Sequence, residues 1–180
     1  MKEEKVRICR LCSEIKPIED FEKDTRIKHH HTNRCKACKS KTQDKAARAY
    51  QHLRERSAKL GVEVEATVEE IKALYAMFEG LCIYCGEKET DDGPTWHLDH
   101  IRPLSQGGTN HASNLAIACP SCNLRKNKKT VVTHFFEDEK FRDINFVVLV
   151  HYIAYKSGQP AQEIRTDLIN EHADFEVKRI

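Results

Sequence analysis

The sequence predicts an α+β fold of small modules that metal ions hold together, and three observations predict it. All eight cysteines fall into four C-x-x-C pairs: Cys9/Cys12, Cys35/Cys38, Cys82/Cys85 and Cys119/Cys122. Short apolar runs bounded by turn residues alternate with helical patterns. The 180 residues are 39% hydrophobic, which supplies one compact core or two small ones and argues against a solenoid or a large barrel.

Two residues between cysteines let both sulfurs of a knuckle face one tetrahedral ion, so two such pairs close a structural zinc site with no open position. A disulfide framework would require export into an oxidising compartment. Met1-Lys2-Glu3-Glu4-Lys5 carries no apolar run of a signal peptide, and no stretch approaches the roughly eighteen apolar residues of a membrane span. The expectation is a cytoplasmic protein without a membrane partner. It would hold two zinc ions, one on Cys9, Cys12, Cys35 and Cys38 and one on Cys82, Cys85, Cys119 and Cys122. The formal charge of +2 is uninformative, but its distribution is not: through Gly61 there are 17 basic and 9 acidic residues, whereas residues 62–130 have 7 and 10 and residues 131–180 have 6 and 9. A nucleic-acid partner would therefore meet the front of the chain.

Taken in order, residues 6–38 hold the first two pairs, separated by 22 residues that include Lys16-Pro17-Ile18 and His29-His30-His31. So short a stretch cannot fold on apolar burial, so zinc supplies the fold. Four sulfurs complete that site, and the histidines read as a solvated loop, with a phosphate or metal contact as the alternative. From Lys36 to Lys59 eight basic residues (Lys36, Lys39, Lys41, Lys45, Arg48, Arg54, Arg56 and Lys59) meet only Asp44 and Glu55, interleaved with Ala46, Ala47, Ala49, Tyr50 and Leu53. This predicts a helix stopped at Gly61. The scarcity of acidic partners at i, i+4 points to phosphate tracking, against the alternative of a merely solvated charged helix.

Val62 to Ala66 reads as a hinge. Thr67 and Glu70 form a capping-box pattern ahead of Val68, Ile71, Leu74, Tyr75 and Phe78, with Gly80 at the stop, which predicts a second helix packed by that face. After the Cys82/Cys85 knuckle come the polar loop Glu87 to Pro94, the apolar stretch Trp96 to Ile101, the loop Ser105-Gln106-Gly107-Gly108-Thr109-Asn110 and Asn114 to Ala118. The pattern is strand, long loop, strand. Cys119-Pro120-Ser121-Cys122 and a basic helical turn from Asn123 to Lys129 follow. Downstream, Phe141, Ile144, Val148, Tyr152 and Tyr155 recur at helical spacing, although β-branched residues keep a strand open. Pro160 opens a last helix with Ile164, Leu168, His172 and Phe175 inward, so residues 131–180 are expected to form a helical hairpin over the core.

One constellation stands apart: Leu98-Asp99-His100-Ile101, then Pro103, Gly107-Gly108, Asn114-Leu115 and Cys119-Pro120-Ser121-Cys122-Asn123 with Lys126. These residues resemble the HNH, or ββα-metal, endonuclease family in its zinc-knuckle form, from about Leu81 to Lys129. Residues 6–60 show a looser likeness to the C-x-x-C module and basic linker of phage and bacterial relatives. The resemblance implies a small zinc-stabilised ββα-metal core with flanking helices and a separate N-terminal zinc module. The expected division is a zinc module over 1–40, a basic helix and linker over 41–66, the nuclease domain over 67–130 and a helical extension over 131–180.

The chemistry can be argued beside the resemblance. Phosphodiester hydrolysis needs an activated water and a cation to neutralise charge on the phosphoryl oxygens. A neutral imidazole, with an ordinary pKa of about 6.5, suits the water, which makes His100 the general base. Asp99 beside it is a hard oxygen donor for magnesium or manganese. By the resemblance, Asn123 stands where other members place a histidine metal ligand, and Asn114 matches the residue that orients the catalytic imidazole. Singly, an Asp-His pair or an Asn before Leu is an ordinary turn feature; the set in this order is not. His97 would share the strand face of Asp99, as a metal neighbour, a phosphate contact or a structural residue. Lys41, Lys45, Arg48, Arg54, Arg102, Arg125 and Lys126 are the expected DNA contacts. The implied function is DNA endonuclease; the alternative is a non-catalytic, zinc-stabilised DNA-binding accessory protein on the same scaffold.

Overall fold

The structure is a computed structural model that describes residues 5–27, 30–90 and 95–179, with the side chains of residues 41–44 and 179 left undescribed. The expectations for His29 of the histidine run, for the Lys41 side chain and for residues 91–94 of the polar loop lie outside the described residues. The architecture is α+β, as the sequence predicts. In the front module β1 (Val6–Ile8) pairs antiparallel with β2 (Ile15–Pro17) around the first knuckle, and β3 (Phe21–Lys23) pairs with β4 (His31–Cys35). Its core consists of Cys9, Phe21 and Cys35, with Leu11, Cys12 and Cys38 packed against them. That is little apolar surface to set against the chain entropy of thirty-odd ordered residues, and an ion on the four cysteines would make up the difference.

Helix α1 (Lys36–Leu60) leaves the module directly from Cys35 and ends at Gly61, which adopts φ 66° and donates its N–H to Ala58 O. A residue with a β-carbon is strained in that left-handed cap, which explains glycine there. Along α1, Ala46, Leu53 and Ser57 are buried, a single stripe laid on α2 (Val68–Phe78). The capping box of α2 forms as its sequence predicts, and Ile71, Leu74, Tyr75 and Phe78 point into the core. The connection Val62–Ala66, read as a hinge, is fastened: Asn110 donates to Glu63 O at 2.6 Å and Ala66 N–H donates to Asn110 O at 3.0 Å.

The centre is an antiparallel hairpin, β5 (His97–His100) against β6 (Leu115–Ala118), followed by helix α3 (Pro120–Lys126). All four β6 residues are buried, and full burial of Leu115 and Ile117 contributes about 2 kcal/mol each. Residues 131–179 form three helices, α4 (Val131–Glu137), α5 (Asp143–Ser157) and α6 (Ala161–Arg179), rather than the two of a hairpin. The apolar phase of α5 also differs from the sequence reading. Ile144, Val148 and Tyr155 are exposed, and Leu149, Val150, Tyr152 and Ala154 face inward. The run Phe146 to Val150 is apolar on every side, so periodicity cannot choose a face; Tyr152 decides it, by hydrogen-bonding Leu115 O and, at 3.4 Å, Ala112 O.

Candidate active site

Two four-cysteine clusters that could each hold a metal ion form among the described residues as the cysteine spacing anticipates, and His134 and Asp138 lie close enough to Cys122 to make a third such group with it. Within each set, Cys9/Cys12/Cys35/Cys38 and Cys82/Cys85/Cys119/Cys122, the sulfurs lie within 4.8 Å of one another, a span that one tetrahedral ion can close. Backbone amides turn toward them: Cys35 N–H donates to Cys9 Sγ at 3.4 Å and Cys119 N–H to Cys82 Sγ at 3.3 Å. Burial would raise the Cys9 thiol, but amides of Cys12, Cys35 and Leu11 outweigh it and bring it to about 6. The thiol of Cys122 hydrogen-bonds the Cys82 sulfur, and that bond draws Cys82 down to about 5 against its burial. Burial pushes Cys85 up to about 12. A divalent ion would displace such retained protons, since the thiolate is the ligand.

The second cluster ties β6 to the knuckle before β5 and so sets the hairpin that carries the sequence constellation. His97 and Asp99 are on the β5 face toward α3. His97 Nδ1 lies 3.1 Å from the amide nitrogen of Asn123 on α3. Asp99 Oδ2 accepts the hydroxyl of fully buried Tyr84 at 2.6 Å and pairs with Lys126 Nζ at 3.1 Å. Burial, followed by the neighbouring Asp99 charge, raises Tyr84 well above its ordinary value, which keeps it a donor. Both bonds fall on Oδ2, leaving Oδ1 as the Asp99 oxygen for a cation. With its nitrogen turned to His97 Nδ1, Asn123 has its carbonyl oxygen as the atom that could serve the same purpose. By donor type, one carboxylate oxygen and one amide oxygen suit a hard divalent ion.

His100 opens into a cleft of about 480 Å³ between β5 and α1. One wall carries Lys45, Arg48, His52 and Arg56; the other carries His97, Leu98, His100 and Asn123, with Tyr75 and Trp96 between them. Burial pushes His100 below the ordinary imidazole value, against the opposing effects of its Asn110 hydrogen bond and of Asp99, so the ring is neutral at neutral pH. Its Nε2 lies 2.7 Å from Asn110 Oδ1. Asn114, expected to hold the imidazole, is engaged elsewhere. Its Oδ1 accepts from Arg102 N–H at 2.8 Å, and its Nδ2 donates to Arg102 O and Thr109 O at 3.0 and 2.8 Å. It closes the loop between the strands. The loop turns back tightly through Gly108, where an added β-carbon would meet Arg102 O at 2.0 Å.

The expected DNA contacts divide. Lys45 and Arg48 face the cleft, Lys45 while pairing with Glu89 at 2.8 Å. Arg54 lies 6.0 Å from the Tyr50 ring, outside the cleft lining. Arg102 bonds Gln106 O at 2.9 Å and pairs with Glu171 at 3.4 Å. Arg125 joins Asp138 at 2.7 Å to Cys122 Sγ at 3.3 Å, beside the fully buried His134, whose imidazole burial lowers to about 4. Lys126 is 1% exposed, its ammonium held by Asp99 and by His100 O at 2.6 Å, so no phosphate reaches it. The sequence reading missed His52 and Asn110 as site residues and named Arg56 only within the phosphate-tracking run, with no signal to rank it. Asn110 read as part of the loop between the strands.

A four-cysteine knuckle, an antiparallel hairpin bearing Asp99-His100 and a helix bearing Asn123 thus meet in one place. Residues 82–129 match the family model of the HNH endonucleases, HNH. Among solved structures, the chain is similar to the rare-cutting HNH restriction endonuclease PacI at 18% identity, covering 74% of this chain and 91% of that one with a TM-score of 0.43. No curated protein matches. Among the described residues no helix is long and apolar enough to cross a membrane.

Proposed function

We propose that this protein is a metal-dependent endonuclease that hydrolyses DNA phosphodiester bonds, with His100 as general base. The observation that carries the reading is the His100 imidazole in a cation-walled cleft, with Nε2 bonded to Asn110 and Nδ1 left for water. Arg48, Arg56 and Lys45 would seat the phosphodiester backbone against β5. His100 Nδ1 would take the proton of a water whose oxygen attacks phosphorus, while the P–O bond to the leaving group breaks. Asp99 Oδ1 and the Asn123 carbonyl would hold magnesium or manganese, which when bound neutralises charge on the phosphoryl and leaving oxygens. Zinc would occupy both cysteine clusters, and the chain would act on DNA in a bacterial or phage-infected cytoplasm.

The test is plasmid cleavage by the zinc-loaded protein with magnesium, beside His100→Ala. We expect the variant to lose cleavage by at least about a hundredfold while DNA affinity stays within about twofold, because the base activates water and does not hold the backbone. A wild-type nicking rate in the variant would remove His100 from the role. One observation favours the non-catalytic DNA-binding reading: Lys126 already neutralises Asp99. Under that reading the wild type itself leaves plasmid intact at saturating protein and metal.

A further inference from the structure

Asn110 is completely buried, and every polar atom of its side chain is engaged. Its Nδ2 donates to Ser57 Oγ at 3.0 Å and to Glu63 O at 2.6 Å, and its Oδ1 faces His100 Nε2 at 2.7 Å. A main-chain carbonyl only accepts, so the amide nitrogen must point to Glu63 and the amide oxygen to His100. That oxygen also only accepts, so the proton of a neutral His100 sits on Nε2 and the lone pair on Nδ1. Ser57 lies near the end of α1 and Glu63 in the connection after it, whereas Asn110 lies in the loop that Gly108 and Asn114 fold back. We infer that Asn110 is the positioning residue that sets the tautomer and orientation of His100, and that through Ser57 and Glu63 it makes the end of the cationic helix part of the catalytic apparatus. This rests on the nuclease reading for its consequence in rate, but not for the hydrogen bond itself. It separates two asparagines four residues apart: Asn114 shapes the loop, and Asn110 aims the base.

The experiment pairs nitrogen-15 NMR of the His100 ring in the full-length, zinc-loaded protein at about pH 8, above the ordinary imidazole range, with single-turnover plasmid nicking and DNA affinity. Wild type should show the Nε2–H tautomer. Asn110→Ala should show a mixture and nick about ten- to a hundredfold more slowly at saturating DNA, with affinity within about twofold, because a misaimed imidazole keeps part of its function. Asn110→Asp keeps an acceptor for Nε2–H but loses the donor to Glu63 O, so it should restore the tautomer and only part of the rate. Ser57→Ala, which loosens the carboxamide from α1, should slow nicking a few-fold at unchanged affinity. A wild-type ring protonated at Nδ1, or Asn110→Ala with wild-type tautomer and rate, overturns the inference; an unaltered rate in Ser57→Ala removes α1 from it. If Asn110→Ala loses zinc and fails to fold, the wild-type tautomer and Asn110→Asp decide. If wild type nicks no DNA the nuclease reading falls, and the ring spectra still judge the hydrogen bond.

Discussion

Lys126 shows how a single charge changes meaning with its surroundings. In a basic run it reads as a phosphate contact, yet it is enclosed and bonded to Asp99 and His100 O, at the point where α3 meets β5. Removing one partner of a buried ion pair strands the other, at a cost of about 3–5 kcal/mol. Lys126→Met should therefore lower unfolding free energy by about 3 kcal/mol in denaturant titration, while folded protein at low temperature keeps its DNA affinity. Wild-type stability combined with weakened DNA binding would return the ammonium to the phosphate interface.

At the scale of the element, α1 serves two surfaces. Its Ala46/Leu53/Ser57 stripe packs on the core, and Arg48 and Arg56 reach the cleft while Arg54 does not. Charge reversal at Arg56 should therefore weaken DNA binding and reduce the log-affinity against log-salt slope by about one. The same change at Arg54 should leave the slope nearly unaltered; equal effects would mean that the helix tracks phosphate along its whole face. Helix α2 offers a pH test. The N–H and hydroxyl of Thr67 both donate to the Glu70 carboxylate and hold it below its ordinary 4.5. The folded state then binds that proton more weakly than the unfolded one, so the stabilisation is complete above about 4.5 and is lost as pH falls through the lowered value. Wild type should exceed Glu70→Gln in stability by about 0.5–1 kcal/mol at neutral pH, and the difference should shrink in acid. A difference independent of pH would show that the charge contributes nothing to the cap.

At the scale of the molecule, the two four-cysteine clusters support unequal structures. The front one holds a module whose core is little more than its own ligands and Phe21, whereas the second sits in the main core beside Leu115 and Ile117. Elemental analysis should return two zinc ions per chain. Cys9→Ser should leave one ion and loosen only residues before α1, read by hydrogen exchange, whereas Cys119→Ser should expose β5 and β6 as well. One ion or none in wild type would defeat the paired-cluster reading.

What the residues determine by themselves here is whatever depends on short-range spacing. Four C-x-x-C pairs, the Thr67/Glu70 cap, the glycine stop of α1 and the Asp99-His100 hairpin are local patterns whose geometry follows from a few bonds. The α+β class and the two four-cysteine clusters were legible on that ground. Which face of α5 turns inward was not, because an apolar run on all sides carries no phase until Tyr152 finds Leu115 O. Nor was the partner of His100 legible: Asn110 and Asn114 are chemically alike and both near in sequence, and only the fold-back at Gly108 brings one to the ring and sends the other to Arg102. The fates of Arg56, Arg125 and Lys126 divided for the same reason, since burial and the partner a charge meets are properties of packing between distant segments, which composition and spacing do not encode.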